Sequence, residues 1–148
     1  MLRSWRLAGL ALAVGVVLAV VQFVLGNYVP GVILFVLCVA WAASWSPLVF
    51  PRSVTAVEAR RRAARDGRPV IFWRPGCQYC QRLRMRLGRA GRRAHWVNIW
   101  ADPAGAAAVR AITGGNETVP TVEVDGAGHV NPDPAWVRER LVGGAAGA

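Results

Sequence analysis

Two cysteines separated by two residues, Cys77-Gln78-Tyr79-Cys80, are the chemistry-bearing feature of this 148-residue chain. A thiol pair at this spacing exchanges disulfides when one sulfur is held as thiolate. The preceding Val70-Ile71-Phe72-Trp73 reads as a short strand, and Pro75-Gly76 ends it. A helical pattern runs from about Cys77 to Arg89, with Leu83 and Leu87 inward. A thiol at a helix N-terminus sits beside unpaired N–H groups and the positive end of the helix dipole. The Cys77 pKa is therefore expected below the ~8.5 of a free cysteine. Arg74, three residues earlier, adds positive potential. Cys80 falls one turn further in, on the same face and more buried. Cys77 is then the attacking thiolate and Cys80 the resolving thiol.

A zinc half-site is the competing reading of the pair. It needs two further ligands, and His95 and His129 stand alone, with no second Cys pair or His pair. No metal ligand is assigned. Thr118-Val119-Pro120 is the second element of interest, because it opens a strand with a residue that cannot donate to the ladder. A cis Val119–Pro120 bond would turn the chain sharply and leave Val119 backbone groups free to pair with a bound thiol peptide.

The elements that must position these residues can be read in order. Thr55-Ala56-Val57-Glu58 has capping-box spacing and opens a helix ending near Asp66-Gly67. After the first strand and the cysteine helix comes a strand at Trp96-Val97-Asn98-Ile99. Asp102-Pro103 caps a helix to about Thr113. Pro120 to Val124 is a strand, Asp125-Gly126 a hairpin turn, His129-Val130 the returning strand, and Asp133-Pro134 caps a last helix to about Val142. The order from residue 68 is β-α-β-α-β-β-α. The first two strands are parallel by a right-handed crossover and the last two antiparallel, giving a four-stranded mixed sheet with helices on both sides.

The first 50 residues are of another kind. Leu7 to Leu25 and Val29 to Phe50 are uncharged apolar runs of 19 and 22 residues, joined by Gly26, Asn27 and Tyr28, with Pro30-Gly31 as further turn signals. A helix of the first length is about 28 Å long, near the ~30 Å hydrocarbon core, so the expectation is a transmembrane hairpin over residues 1–50. A cleaved signal peptide would carry a shorter apolar stretch and a small-residue cleavage site. Small residues at Ala11, Gly15 and Ala19, and at Ala40 and Ser44, suit close helix approach in lipid. Trp5 and Trp45 are candidate interface anchors. Cys38 is read as packing, because an apolar site disfavours its thiolate. Arg3 and Arg6 precede the hairpin, and Arg52, Arg60, Arg61, Arg62 and Arg65 follow it. The positive-inside rule then gives a two-pass plasma-membrane protein with both termini, and everything after Phe50, in the cytoplasm.

The net charge of +10 comes entirely from arginine, since the chain has no lysine. Residues 51–67 read as a basic juxtamembrane helix and linker, residues 68–142 as the redox domain, and 143–148 as a flexible tail. The cluster Arg52 to Arg68 suits anionic headgroups. Arg82, Arg86, Arg89 and Arg93 form a stripe of the kind usually solvated. No helix-turn-helix, zinc finger or RNA-binding motif accompanies the charge, so nucleic acid is not expected as a partner.

Phe72-Trp73-Arg74-Pro75-Gly76-Cys77-Gln78-Tyr79-Cys80, followed by Thr118-Val119-Pro120, resembles the glutaredoxin family of the thioredoxin fold. Trp96-Val97-Asn98-Ile99-Trp100 and the segment Gly115 to Val122 with Val130-Asn131-Pro132 are similar to its actinobacterial mycoredoxin-like branch. The resemblance implies an α/β thioredoxin-like domain behind two transmembrane helices. It also implies an enzyme that reduces protein or mixed disulfides with a low-molecular-weight thiol, mycothiol or glutathione, as co-substrate and no bound cofactor. The family's nucleophile maps onto Cys77, its resolving cysteine onto Cys80 and its cis-proline onto Pro120. Arg74, Gln78, Tyr79, Thr118 and Val119 fall at the thiol-binding positions. Two positions depart from the family pattern: Gln78 stands where proline is common, and Asp125 to Asp133 lacks the usual Gly-Gly segment. Two alternatives stay open, a thioredoxin-like dithiol carrier fed by a flavoprotein reductase and a metal- or iron–sulfur-binding module.

Overall fold

The computed structural model describes residues 2–45 and 52–143. The chain divides into two compact units, 1–49 and 50–148. The first holds helices α1 (Leu2–Val24) and α2 (Tyr28–Trp45). They run antiparallel. Near the turn, a Cβ on Gly31 would lie 3.2 Å from Gln22 Cβ. Further along, a Cβ on Gly15 would lie 2.5 Å from Cys38 Cβ, so only glycine admits this approach. Gly15 and Ala19 are buried, which puts part of the small-residue stripe at the helix contact; Ala11 and Ser44 lie outside the described side chains. Cys38 packs on Gly15, as expected of a packing residue.

Pro30-Gly31 was expected as part of the turn, but both lie in the first turn of α2. Proline is tolerated there because its missing N–H has no intrahelical partner. Gly26, with φ of 80°, makes the turn, and Asn27 N–H donates to Gln22 O. Among the described residues, no helix is long and apolar enough to cross a membrane. The two expected spans are thus not shown by the structure, since the side chains of residues 1–8 and 42–51 lie outside what it describes. The proposed anchors Trp5 and Trp45 lie there too, as does the tail after Gly143.

The second unit comprises α3 (Ala56–Asp66), β1 (Val70–Trp73), α4 (Gln78–Leu87), a 3-10 helix (Ala90–Arg93), β2 (His95–Asn98), α5 (Pro103–Ile112), β3 (Thr121–Val124), β4 (Ala127–Val130) and α6 (Pro134–Gly143). The sheet order is β2-β1-β3-β4, with β1 parallel to β2 and antiparallel to β3, and β3 antiparallel to β4. Every residue of β1 is buried, so helices cover both faces of the sheet. This four-stranded mixed sheet with flanking helices fits the thioredoxin-like fold.

The core of this unit is drawn wholly from residues between Val54 and Leu141, so the unit carries a core of its own. Its largest buried side chains are Trp73, Trp96 and Phe72. Trp73 Nε1 donates to Ser53 Oγ at 3.0 Å and Trp96 Nε1 to Gly91 O at 2.6 Å, so burying these indoles strands no donor.

Two elements differ from the sequence reading. The helix 56–66 was expected as a linker outside the domain, yet Ala56 and Ala59 are in the core. Asp102 explains the attachment: its Oδ2 accepts from Ala56 N at 2.5 Å while its Oδ1 caps α5 at Ala104 N. One carboxylate thus serves the starts of two helices. The cysteine helix also stops earlier than expected. Gly88, at φ 55° and ψ −128°, ends α4, so Arg89 and Arg93 lie beyond it, on the connection and the 3-10 helix.

Candidate functional site

β1 runs parallel to β2 through the middle of the sheet and delivers the chain to Arg74-Pro75-Gly76 at its end. Gly76, at φ 77°, turns the backbone so that Cys77 becomes the N-cap of α4. In that position the Cys77 sulfur takes the part a serine or aspartate oxygen plays in an ordinary cap. It accepts from Cys80 N at 3.2 Å. Cys80 Sγ–H also donates to it, with the two sulfurs 2.6 Å apart. Both thiols are free and both side chains are buried, Cys80 completely.

These contacts separate the two thiols chemically. The donated Cys80 S–H lowers the Cys77 pKa most. Burial opposes this, while the Cys80 N–H, the positive charge of Arg74 and the Tyr79 N–H assist. The net result is a pKa of about 6. Cys80 moves the other way. Donation to Cys77, burial and the facing charge hold its proton far more tightly than in a free cysteine. At neutral pH the arrangement presents one thiolate with a protonated thiol beside it, which is what disulfide exchange at a single attacking sulfur requires.

The third group comes from β3. The Val119–Pro120 peptide is cis, and the Val119 carbonyl accepts from Cys77 Sγ at 3.3 Å when that sulfur is protonated. Val119 and Pro120 are buried, whereas Thr118 is exposed and its carbonyl accepts from Thr121 Oγ1. Gln78 and Tyr79 are exposed in the first turn of α4, and Arg74 is half-buried beside it. The structure therefore gathers Cys77, Cys80, Arg74, the Tyr79 backbone and Val119 around one sulfur. It leaves the Gln78, Tyr79 and Thr118 side chains free at the rim.

One contributor was missed in the sequence. Asn131 follows β4 with φ 46°, and its N–H donates to Pro120 O at 2.8 Å, which holds the proline loop from behind. Asparagine tolerates this left-handed conformation better than most residues, and in the sequence Val130-Asn131-Pro132 carried only the family resemblance, without this role. The histidines have plain roles. His95 Nε2 lies 3.0 Å from Asp66 Oδ2, and His129 meets Trp136 in a tilted ring contact with centroids 4.5 Å apart. Among the described residues, no group of three or more His, Cys, Asp or Glu is placed to hold a metal ion. A cleft of about 210 Å³, lined by Arg60, Arg68, Val70, Glu123 and Gly126, opens at the opposite end of β1 from the cysteines. It has no part in their chemistry.

Residues 70–130, which contain the cysteine pair and the cis-proline, match the family model for glutaredoxin. The match supports thiol–disulfide oxidoreductase chemistry of the glutaredoxin type. No curated protein matches the chain.

Proposed function

We propose that this glutaredoxin-type domain reduces protein or mixed disulfides through Cys77, with Cys80 as resolving thiol and a mycothiol-type low-molecular-weight thiol as donor. The observation that carries the reading is the position of Cys77 Sγ. It is the cap of α4, receives the Cys80 N–H and S–H, and faces the Val119 carbonyl. The Cys77 thiolate attacks one sulfur of the substrate disulfide. That S–S bond breaks, the leaving thiolate takes a proton, and a mixed disulfide forms on Cys77. Cys80, once deprotonated, attacks Cys77 Sγ. The second substrate thiol departs, and the Cys77–Cys80 disulfide remains. Two molecules of donor thiol return the pair to dithiol and leave as their own disulfide. Where the donor thiol attacks the mixed disulfide first, Cys80 is bypassed. Residues 52–148, incubated with a mixed disulfide, test the donor. Turnover with mycothiol or glutathione supports the reading, while turnover only with a flavoprotein reductase favours the thioredoxin-like alternative.

The same proposal holds the domain at the cytoplasmic face of the plasma membrane through residues 1–50. The uncharged stretches Leu7–Leu25 and Val29–Phe50 support it, as do the flanking arginines. So does the exposure of apolar side chains such as Leu10, Val17, Val24, Ile33 and Leu37 along α1 and α2. An isolated soluble helix pair would bury this surface. Resistance of the full chain to alkaline extraction from membranes is the expected result. Release into the supernatant would contradict it. Labelling of a cysteine introduced on the second unit reads the topology.

A further inference from the structure

The ion pairs of the second unit are unevenly placed. Around α3 and α5, Arg60 pairs with Glu123, Arg61 and Arg62 with Glu58, Arg68 with Asp66, and Arg110 with Glu117. Asp102 and Asp133 are engaged at helix starts. The other helix layer, in which α4, the 3-10 helix and α6 pack on one another, carries Arg82, Arg86, Arg89, Arg92, Arg93 and Arg138. Among the described residues, none of these six has a carboxylate partner. Glu139 is the only acid on these three elements. Arg84 sits half-buried beneath them. Its Nη1 donates to Gly88 O at 2.7 Å, its Nε has no partner, and both burial and nearby Arg92 disfavour its charge. Met85 stands 73% exposed amid the arginines, and Val142 is exposed on α6.

We propose that this α4–3-10–α6 face docks on an anionic lipid surface. Like charges held together without counter-charges repel one another, and a layer of phosphate headgroups relieves that repulsion. Met85 and Val142 distinguish a bilayer from other polyanions. An apolar side chain among arginines suits a headgroup boundary, where guanidinium groups meet phosphates and the thioether enters the acyl edge. The sequence pattern pointed instead to Arg52–Arg68 as the lipid contact. In that cluster Arg60, Arg61, Arg62 and Arg68 lie beside carboxylates, with Glu58 shared by Arg61 and Arg62, while Arg52 and Arg65 have no carboxylate partner among the described residues; the larger unpaired set is the one on α4, the 3-10 helix and α6. Cys77 caps the first turn of α4, so docking fixes the attacking sulfur at the edge of the bound face. The inference rests on the membrane reading of the first unit only for the place where such lipid is met.

The test uses residues 52–148, which lack the first unit and carry their own core. Co-sedimentation is measured with phosphatidylcholine vesicles, with and without phosphatidylglycerol. Binding only to the anionic vesicles, lost at high salt, is expected. Arg82→Glu/Arg86→Glu/Arg89→Glu should lower the partition coefficient about 100-fold, with Arg→Gln at the same positions as the milder variant and circular dichroism as the check on folding. Met85→Ser should weaken binding by a smaller factor. Arg61→Glu/Arg62→Glu, on the paired side, should change it little. Equal binding to neutral vesicles, an equal loss in the paired-side variant, or binding to nucleic acid without vesicle binding would each overturn the proposal. Such a failure leaves the anchor reading intact, because extraction of the full chain reads that separately.

Discussion

The Cys80 thiol donates to Cys77 Sγ across 2.6 Å, so each sulfur sets the protonation of the other. Cys77 ionises with a pKa of about 6 because Cys80 keeps its proton and shares it. Alkylation of the reduced domain by iodoacetamide should therefore follow a titration centred near pH 6. Cys80→Ala should raise the midpoint more than Arg74→Met, because the S–H donor outweighs the more distant guanidinium. A wild-type midpoint at the ~8.5 of free cysteine would show that the contact does not act on Cys77.

The same shift makes the stability of the reduced domain depend on pH. The Cys77 pKa is lower in the folded than in the unfolded chain, so the folded state is favoured where Cys77 is thiolate. The gain is absent below about pH 6 and grows as pH rises toward ~8.5, the unfolded value. Above that, Cys80 acts in the opposite sense, because its pKa is raised on folding. The urea midpoint of the reduced domain should climb between these limits, and Cys77→Ala should remove the climb.

Arg60 of α3 holds Glu123 of β3 in a bidentate pair, with Nε to Oε1 at 2.9 Å and Nη2 to Oε2 at 2.7 Å. Glu123 is 9% exposed, so removing its partner leaves a nearly buried carboxylate uncompensated. Arg60→Met should cost about 1–3 kcal/mol, measured by denaturant unfolding. Glu123→Val in that background should recover most of the loss, because no buried charge then remains. Equal stability of the single and double variants would show that the carboxylate is not what Arg60 satisfies.

In the first unit, a Cβ on Gly15 would meet Cys38 Cβ at 2.5 Å. Gly15→Val should force α1 and α2 apart and expose the Cys38 thiol. With Cys77 and Cys80 both changed to serine, maleimide labelling of Cys38 should be several-fold faster in Gly15→Val than in its parent. Unchanged labelling would contradict the packing of α1 on α2 at this point.

The strands and helices of the second unit were legible because each carries a local signal. β1 is a run of buried apolar residues. Thr55, Asp102 and Asp133 are helix starts by side-chain type, and Asp125-Gly126 is a hairpin turn. The two cysteines were legible from their spacing and strand-to-helix context, whereas Pro120 was assigned as the cis-proline through the resemblance. What sequence could not show was pairing across elements. That Asp102 ties α3 to α5, that Asn131 supports Pro120, and that Glu123 of β3 pairs with Arg60 of α3 are all contacts between distant residues. Composition placed the charge beside the apolar segment; carboxylates there engage Arg60, Arg61, Arg62 and Arg68, whereas the arginines of α4 and the 3-10 helix have none among the described residues. The early end of α4 at Gly88 was missed for a related reason: the arginine stripe keeps helical spacing through a break that only the backbone reveals.

In the proposed cycle Cys77 alone attacks the substrate disulfide. The most direct measurement is a single turnover of the reduced domain, residues 52–148, against a mixed disulfide, with the intermediate trapped and its mass determined. Cys77→Ser should form no adduct and show no turnover. Cys80→Ser should accumulate the adduct on Cys77 and release it only when a low-molecular-weight thiol is added. An adduct on Cys80, or turnover that survives Cys77→Ser, would contradict the account.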